Sequence, residues 1–244
     1  MSKSDCIGLI SDIHGNLEAF KKVLKEIEEH DCPIFCLGDV VGYGADPNEV
    51  IELVIEKNIR CIMGNHDAAA IGKMDTTWFN ERARRAIEWT SNELTKKGRN
   101  FLESLKKEMR FGDAYMVHGS PMDPISEYVD NSFVAEESLN FVDDIIIIVG
   151  HTHVPCSFSE RVGKIELERY LHGGTFTIDT RSVLNPGSVG QPRDGNPMAS
   201  YAILEFSKRE FTVFRTYYDI GKASEKILKA GIPKSLAERL FIGL

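Results

Sequence analysis

The sequence predicts an α/β fold built on two sheets, and three observations carry that expectation. In the first half of the chain, short apolar runs alternate with polar or glycine-rich loops and amphipathic helices in the order βαβαβ, which implies a parallel sheet covered by helices. After Val149 the texture changes to short β-rich runs separated by turn residues, so a second, largely antiparallel sheet is expected. No Pro/Ser-rich linker and no internal repeat divides the 244 residues, and residues 1–244 read as one domain.

The elements follow in order. Cys6–Ile10 reads as the first strand. Asn16–Glu29 reads as a helix because Leu17, Phe20, Val23, Leu24 and Ile27 fall on one face. Ile34–Leu37 is the second strand, and Pro47–Lys57 the second helix, with Pro47 in the first turn where its missing N–H costs nothing. Ile59–Met63 is the third strand. A helical stretch over Thr76–Lys107 comes next, an insertion of about residues 76–110. Phe79, Ala83, Ala86, Ile87 and Leu94 mark one apolar face, Phe101, Leu102, Leu105 and Met109 another, and Gly98 is the expected break. Further strands are expected at Ala114–His118, Ile145–Val149, Ile165–Arg169, Phe176–Ile178, Ser182–Leu184, Ala199–Phe206 and Glu210–Tyr217. Helices close the chain over about 220–244, punctuated by Gly231-Ile-Pro233. They could form a dimer contact in a homo-oligomer or cover a sheet face.

Composition narrows the class. With 42% hydrophobic residues and no low-complexity tract, disorder is excluded. The densest apolar run, Ile145–Val149, is far short of the ~18 residues a membrane helix needs. The N-terminus lacks the apolar stretch of a signal peptide, so no membrane role and a cytoplasmic location are expected. Five cysteines without a CxxC pair predict buried free thiols in a reducing compartment. The balance of 29 basic against 37 acidic residues, net −8, lacks the footprint of a general nucleic-acid binder. Any phosphate would therefore need local positive charge at its site.

The chemistry lies at the ends of the predicted strands. Asp12 and His14 follow the first strand, Asp39 the second, and Asn65, His66 and Asp67 the third. His118 ends the next, and His151 and His153 follow the Ile-rich strand. Carboxyl ends of parallel strands share one edge, so five loops distant in sequence would meet there. Five of the seven histidines fall in this set, with His30 and His172 outside it. Carboxylates, imidazoles and an amide oxygen without thiolate suit Mn²⁺, Fe²⁺, Zn²⁺ or Co²⁺ rather than an all-oxygen cage. Seven donors exceed one tetrahedral zinc and suit two cations sharing a carboxylate. Two such cations, two aspartates and a bridging hydroxide leave a net positive charge, enough to hold a phosphate in an otherwise acidic protein.

Asp12-x-His14, Gly38-Asp39, Gly64-Asn-His-Asp67, His118-Gly119 and Gly150-His-x-His153 together resemble the signature set of the calcineurin-like metallophosphoesterases. Asn185-Pro-Gly-Ser188 matches a late loop of the small bacterial and archaeal phosphodiesterase-type members. The resemblance implies two facing mixed sheets flanked by helices, a four-layer α/β/β/α sandwich. It implies that Asp12, His14 and His153 bind one metal and Asn65, His118 and His151 the other, with Asp39 bridging. His66 would protonate the leaving alkoxide or stabilise phosphoryl charge, and Asp67 would orient its ring. Manganese is the implied metal, with iron, zinc, cobalt and nickel as alternatives. The implied activity is hydrolysis of a small phosphoester, such as a nucleotide, by a dimetal-bound hydroxide, of the phosphodiesterase or nucleotide pyrophosphohydrolase type.

One departure matters. Protein Ser/Thr phosphatases of this superfamily carry a phosphate-clamping Asp-Arg-Gly where this chain reads Gly42-Tyr43-Gly44. Arg193 is the candidate replacement, weighed against a plain surface turn, and Asn185 and Tyr43 are further candidate substrate contacts. Tyr43 and Trp78-Phe79 could offer aromatic faces to a nucleobase, although core packing is the expected place of Trp78. Two other readings are a non-catalytic binding scaffold of the same fold, opposed by the intact donor set, and a nuclease, opposed by the acidic charge.

Overall fold

In the computed structural model, which describes residues 5–244, strand β1 (Cys6–Ile10) lies at the centre with apolar packing on both faces. Ile7 and Leu9 point into one core and Ile10 into another, the alternation that a strand's two-residue period dictates. Helix α1 (Leu17–Ile27) follows, with the Asn16 carboxamide oxygen accepting from Ala19 N at 3.1 Å as its cap. Then come β2 (Ile34–Cys36), α2 (Pro47–Glu56), β3 (Arg60–Cys61), α3 (Asn65–Ala70), α4 (Glu81–Glu93) and α5 (Lys96–Ser104). The chain continues through β4 (Glu108–Phe111), β5 (Ala114–Val117), α6 (Ser132–Phe141), β6 (Ile146–Ile148), β7 (Cys156–Arg161), β8 (Lys164–Arg169) and β9 (Gly174–Thr177). It ends with β10 (Ser182–Asn185), β11 (Ala199–Glu205), β12 (Glu210–Thr216), α7 (Ile220–Lys229) and α8 (Lys234–Glu238).

The strands form two six-stranded mixed sheets, ordered β3-β2-β1-β11-β12-β9 and β4-β5-β6-β10-β7-β8. Their inner faces meet: Ile7, Leu9, Phe35 and Leu37 of one pack with Met116, Ile146, Ile148 and Leu184 of the other. Each such side chain taken from water contributes about 1.5–3 kcal/mol. Helices α1 and α2 cover the outer face of the first sheet and α6 that of the second, giving the expected four layers. Within them β1, β2 and β3 run parallel, and so do β5, β6 and β10, so each sheet brings three carboxyl ends to a common edge.

Several expectations need correcting. The late strands do not make a sheet of their own. β9, β11 and β12 extend the parallel N-terminal strands antiparallel, while β7, β8 and β10 join β4–β6. The helical stretch breaks at Leu94, not at Gly98. Thr95 Oγ1 accepts from Gly98 N at 3.1 Å and starts a new helix, and Gly98 lies inside it, pressed against Asn48 and Ile51. Met109, assigned to a helix face, belongs to strand β4. Strand β7 and helix α6 carried no recognised sequence signal. Cys6 and Cys32 form a disulfide with a Cα–Cα distance of 5.6 Å, whereas Cys36, Cys61 and Cys156 are the buried free thiols expected. The C-terminal helices cover their own chain: Ile227, Leu236 and Leu240 pack with Tyr43, Ala83 and Ala86.

Ionic contacts fasten the C-terminal quarter. Lys226 Nζ reaches Asp46 at 2.9 Å and Glu18 at 2.8 Å. Arg215 donates through Nη2 to both oxygens of Asp194, at 2.8 and 2.7 Å, with both side chains buried. Removing one partner of a buried pair leaves an uncompensated charge, so Asp194→Ala should lose about 3–5 kcal/mol in urea unfolding of the metal-free protein. A loss under about 1 kcal/mol would show the pair contributes no more than a surface contact.

Candidate metal centre

Six loops meet where the two sets of carboxyl ends adjoin. They follow β1 (Asp12, His14), β2 (Asp39), β3 (Asn65, His66), β5 (His118), β6 (His151, His153) and β10 (Gln191, Arg193). The predicted convergence is therefore present but shared between two sheets rather than confined to one. The turns are tight. Asp12, His14, Asp39, His151 and His153 all have φ between 50° and 64°. Left-handed backbone at a residue with a side chain costs about 1–3 kcal/mol and persists only where its surroundings fix it. Here the backbone does so: Asp12 N donates to Gly38 O at 3.0 Å and His14 N to Asp39 O at 2.9 Å. Gly64 is required by contact, since a Cβ there would lie 2.1 Å from Asp39 Oδ1.

Each carboxylate is divided between fold and site. Asp12 Oδ2 accepts from His151 N at 3.2 Å and Asp39 Oδ1 from His66 N at 2.9 Å, while Asp12 Oδ1 and Asp39 Oδ2 are buried without a hydrogen bond. The imidazoles are turned the same way. His118 Nδ1 donates to Leu37 O (2.8 Å), His153 Nδ1 to Gln191 O (2.5 Å) and His151 Nε2 to Ser126 O (3.0 Å). In the neutral form this leaves a bare nitrogen on each ring, and those nitrogens face the orphaned oxygens.

The bare atoms form two groups. Asp12 Oδ1, His14 Nε2 and His153 Nε2 lie 3.2–3.8 Å from one another. His118 Nε2 lies 3.1 Å from His151 Nδ1, 3.2 Å from Asn65 Oδ1 and 3.4 Å from Asp39 Oδ2. Asp39 Oδ2 also lies 3.6 Å from His14 Nε2 and so belongs to both. Ligands bonded to one cation at ~2.0–2.2 Å sit about 3–3.5 Å apart, the spacing found here. Two lone pairs facing each other at 3.1 Å repel unless a cation or proton lies between them. The donor set thus fits two divalent cations sharing Asp39.

Titration in the metal-free chain reflects the same crowding. Burial opposes charge on His118, but Asp39 and Asp12 outweigh it and raise the imidazolium to about 9. Burial depresses His66 to about 4 and His151 to about 3. Asp12 and Asp39, despite burial, are held below the usual carboxylate range by surrounding histidines.

The remaining predicted residues divide. His66 is bracketed by the rings of Tyr43, His14 and Phe79 at 4.4, 4.8 and 5.1 Å, and its Nδ1 has no partner. Asp67 does not orient it. The Asp67 carboxylate instead accepts from Val41 N (3.0 Å) and Gly64 N (3.1 Å), clamping the loops after β2 and β3, and burial with nearby Asp39 pushes it up to about 7. Asn185 is not at the cleft: fully buried, it donates to Gly150 O (2.7 Å) and Thr152 Oγ1 (3.0 Å), so its role is to hold the β6 and β10 loops together. Tyr43 and Arg193 do line the cleft, about 600 Å³ in volume, that opens over the centre. Trp78, expected in the core, lines it too and is 84% exposed. Sequence reasoning missed Tyr128, stacked on His151 at 3.9 Å, and Arg239, which carries no local motif. Gln191, two residues before Arg193, carries no recognisable motif either.

Comparison with known proteins bears on the family and the fold. Residues 6–209 match the calcineurin-like phosphoesterase superfamily domain. The chain is 41% identical to an uncharacterised protein of Methanocaldococcus jannaschii, over 97% of this chain and 98% of that one. The crystal structure of a metallophosphoesterase from Sphaerobacter thermophilus superposes with a TM-score of 0.89 at 40% identity, covering 98% of this chain and 99% of the other. A hypothetical protein from Pyrococcus horikoshii shares the fold at a TM-score of 0.82 and 20% identity, with 98% of each chain covered.

The raised His118 has a consequence in pH. Its proton stabilises the metal-free fold fully below 6.5, and that stabilisation is lost as pH rises through about 9. His66 and His151 act oppositely, since their depressed values cost stability as pH falls below 6.5. Metal-free protein should therefore melt highest near pH 6.5. Cation binding at pH 8 should release about one proton, read from calorimetry in buffers of different ionisation heat. No proton release would contradict a protonated His118.

Proposed function

The chain belongs to the calcineurin-like phosphoesterase superfamily, and on that footing we propose that it hydrolyses a small phosphoester, of phosphodiester or nucleotide-pyrophosphate type, using two divalent transition cations. The observation that carries this reading is the pair of buried donor groups joined by Asp39 Oδ2 at the floor of the cleft. Asp12, His14 and His153 would hold one cation and Asn65, His118 and His151 the other. Manganese suits carboxylate, imidazole and amide donors without thiolate, and iron, zinc, cobalt and nickel share much of that preference. Bound there, such cations polarise phosphoryl oxygens and make hydroxide available near neutral pH.

The chain's own residues do the rest. A His66 ring with proton affinity depressed to about 4 is neutral at pH 7 and still donates one N–H. Of its two implied roles, this favours a hydrogen bond to phosphoryl or leaving-group oxygen over storage of a proton. Arg193, held by Tyr43 OH at 3.3 Å, places a guanidinium over the cleft in the role that Asp-Arg-Gly fills elsewhere in the superfamily. Tyr43, Trp78 and Phe79 wall the space with aromatic faces that suit an organic group such as a nucleobase. Net charge −8 opposes a polynucleotide substrate. We read residues 1–244 as one metallophosphoesterase domain in which the 76–110 segment sets substrate size, with a cytoplasmic location. Among the described residues no helix is long and apolar enough to cross a membrane.

Manganese-loaded protein should turn over bis-p-nitrophenyl phosphate, and Asp39→Asn should abolish both turnover and binding of the second cation. His66→Ala should lower kcat about 10²–10³-fold with metal content unchanged. Protein loaded with each candidate metal yet inert on a broad phosphoester panel would overturn the reading. Trp78→Ala should raise KM for aromatic substrates several-fold and leave the bound metal untouched. Loss of metal in that variant would assign the segment a structural role instead.

A further inference from the structure

Beside the metal centre lies a second concentration of charge that the proposed chemistry uses only in part. Arg193 Nη2 and Arg239 Nη1 both donate to one neutral acceptor, Gln191 Oε1, at 3.1 and 3.3 Å. Arg193 also sits over the Tyr43 ring at 5.6 Å, and Arg239 Nε is taken up by the main-chain oxygen of Leu244. Among the described residues, neither guanidinium pairs with a side-chain carboxylate. Both groups are partly buried, and Arg193 Nε and Gln191 Nε2 are buried donors without a partner. Burial first, and then the charges of Arg193 and Arg82, lower the proton affinity of Arg239.

Two like charges drawn together on a shared amide oxygen, with spare donors around them, need an anion to be comfortable. Among the described residues no side-chain carboxylate supplies it to either guanidinium, and the Leu244 oxygen reaches Arg239 alone. Arg239 opens on an adjoining pocket of about 480 Å³ shared with Tyr43, Asn80 and Arg82, and the carboxylate lining it, Glu81, is engaged by Arg85 at 2.6 Å. The pair is also fixed relative to the metal centre. The Gln191 backbone oxygen accepts from His153 Nδ1, so one residue orients a metal-facing imidazole through its main chain and both arginines through its side chain. The Asp194–Arg215 pair and the bond from Gly195 N to Gly243 O at 2.9 Å anchor the loop from below.

We propose that Arg193 and Arg239, gathered on Gln191, form a second anion subsite, and that the substrate is a small organic molecule carrying two linked phosphoryl groups. This rests on the phosphoesterase reading and narrows it from phosphoesters in general to phosphoric anhydrides. The metal centre takes one phosphoryl group and the arginines its neighbour. In hydrolysis, water oxygen forms the new P–O bond while the bridging P–O bond breaks. The bond's electron pair stays on the departing phosphate, whose charge the arginines hold, and the water proton passes to the medium. Gln191 acts as a positioning residue.

AMP and ADP are suitable probes, since they present one and two phosphates on the same organic group. Their affinities are measured by calorimetry on the manganese-loaded and the metal-free protein, with the fluorescence of Trp78 as a parallel readout. ADP should bind at least about 10-fold tighter than AMP. Arg193→Gln and Arg239→Gln should each remove most of that preference, and Arg239→Lys should keep part of it. Thermal melts identify any variant that fails to fold, in which case the lysine variant and the other arginine carry the comparison. An ADP/AMP ratio below that figure in the unsubstituted protein, or one undiminished by either neutral substitution, overturns the subsite. An arginine-dependent ADP preference in a protein that turns over no phosphoester keeps the subsite and removes the hydrolase reading. Turnover of bis-p-nitrophenyl phosphate without the preference does the reverse.

Discussion

Two aspartates buried against five histidines set the terms for the rest of the molecule. A carboxylate taken from water costs several kcal/mol unless it is paired and hydrogen-bonded. Asp12 and Asp39 each meet half of that requirement, with one oxygen bound to a backbone N–H and the other left bare toward the neighbouring imidazoles. Protein atoms alone do not complete the arrangement. In the metal-free chain the positive charge comes from a proton on His118, and divalent cations would supply it more fully.

The fold is organised to hold this incomplete cluster rigidly. Five of its residues occupy left-handed backbone that a flexible loop would abandon, and the turns are fastened by bonds from one loop to the next. Asp67 and Asn185 do this work from behind the site, closing the β2–β3 and β6–β10 loops respectively. Their placement explains why residues inside recognisable motifs need not face substrate. A loop that must stay strained needs buried polar anchors as much as it needs ligands.

The substrate side is built in part from different material. Trp78 precedes α4 and Arg239 follows α8, so these walls come from segments remote from the metal-facing loops, whereas Tyr43, Tyr128 and Arg193 line the cleft from the loops after β2, β5 and β10. The C-terminal helices, by covering Tyr43 and presenting Arg239, make the last residues of the sequence part of the same cavity that β1 begins. Candidate metal donors and cleft walls thus come only in part from different segments of the chain.

That partial separation marks how far the sequence could be read. The donors were legible because strand ends followed by Asp, His or Asn in glycine-flanked turns repeat a local pattern, and the apolar face of α1 was legible from its period. Assignment of strands to sheets was not, because β11 pairs with β1 across almost the whole chain and nothing local records that partner. The disulfide escaped for the same reason: Cys6 and Cys32 look like two buried thiols until β1 and the loop before β2 are side by side. Trp78 was misplaced because its neighbours share a helical apolar period, while the residue itself sits in a turn of 3-10 helix ahead of that helix. By itself the sequence determined which atoms could bind metal and where most of the strands and helices lie, since both follow from side-chain chemistry and short-range spacing. Only the tertiary structure decided which loops share an edge, which motif residues face inward as anchors, and that Arg193 and Arg239 meet on Gln191. Those outcomes depend on the pairing of distant strands and the docking of terminal helices, for which no short stretch of chain carries the code.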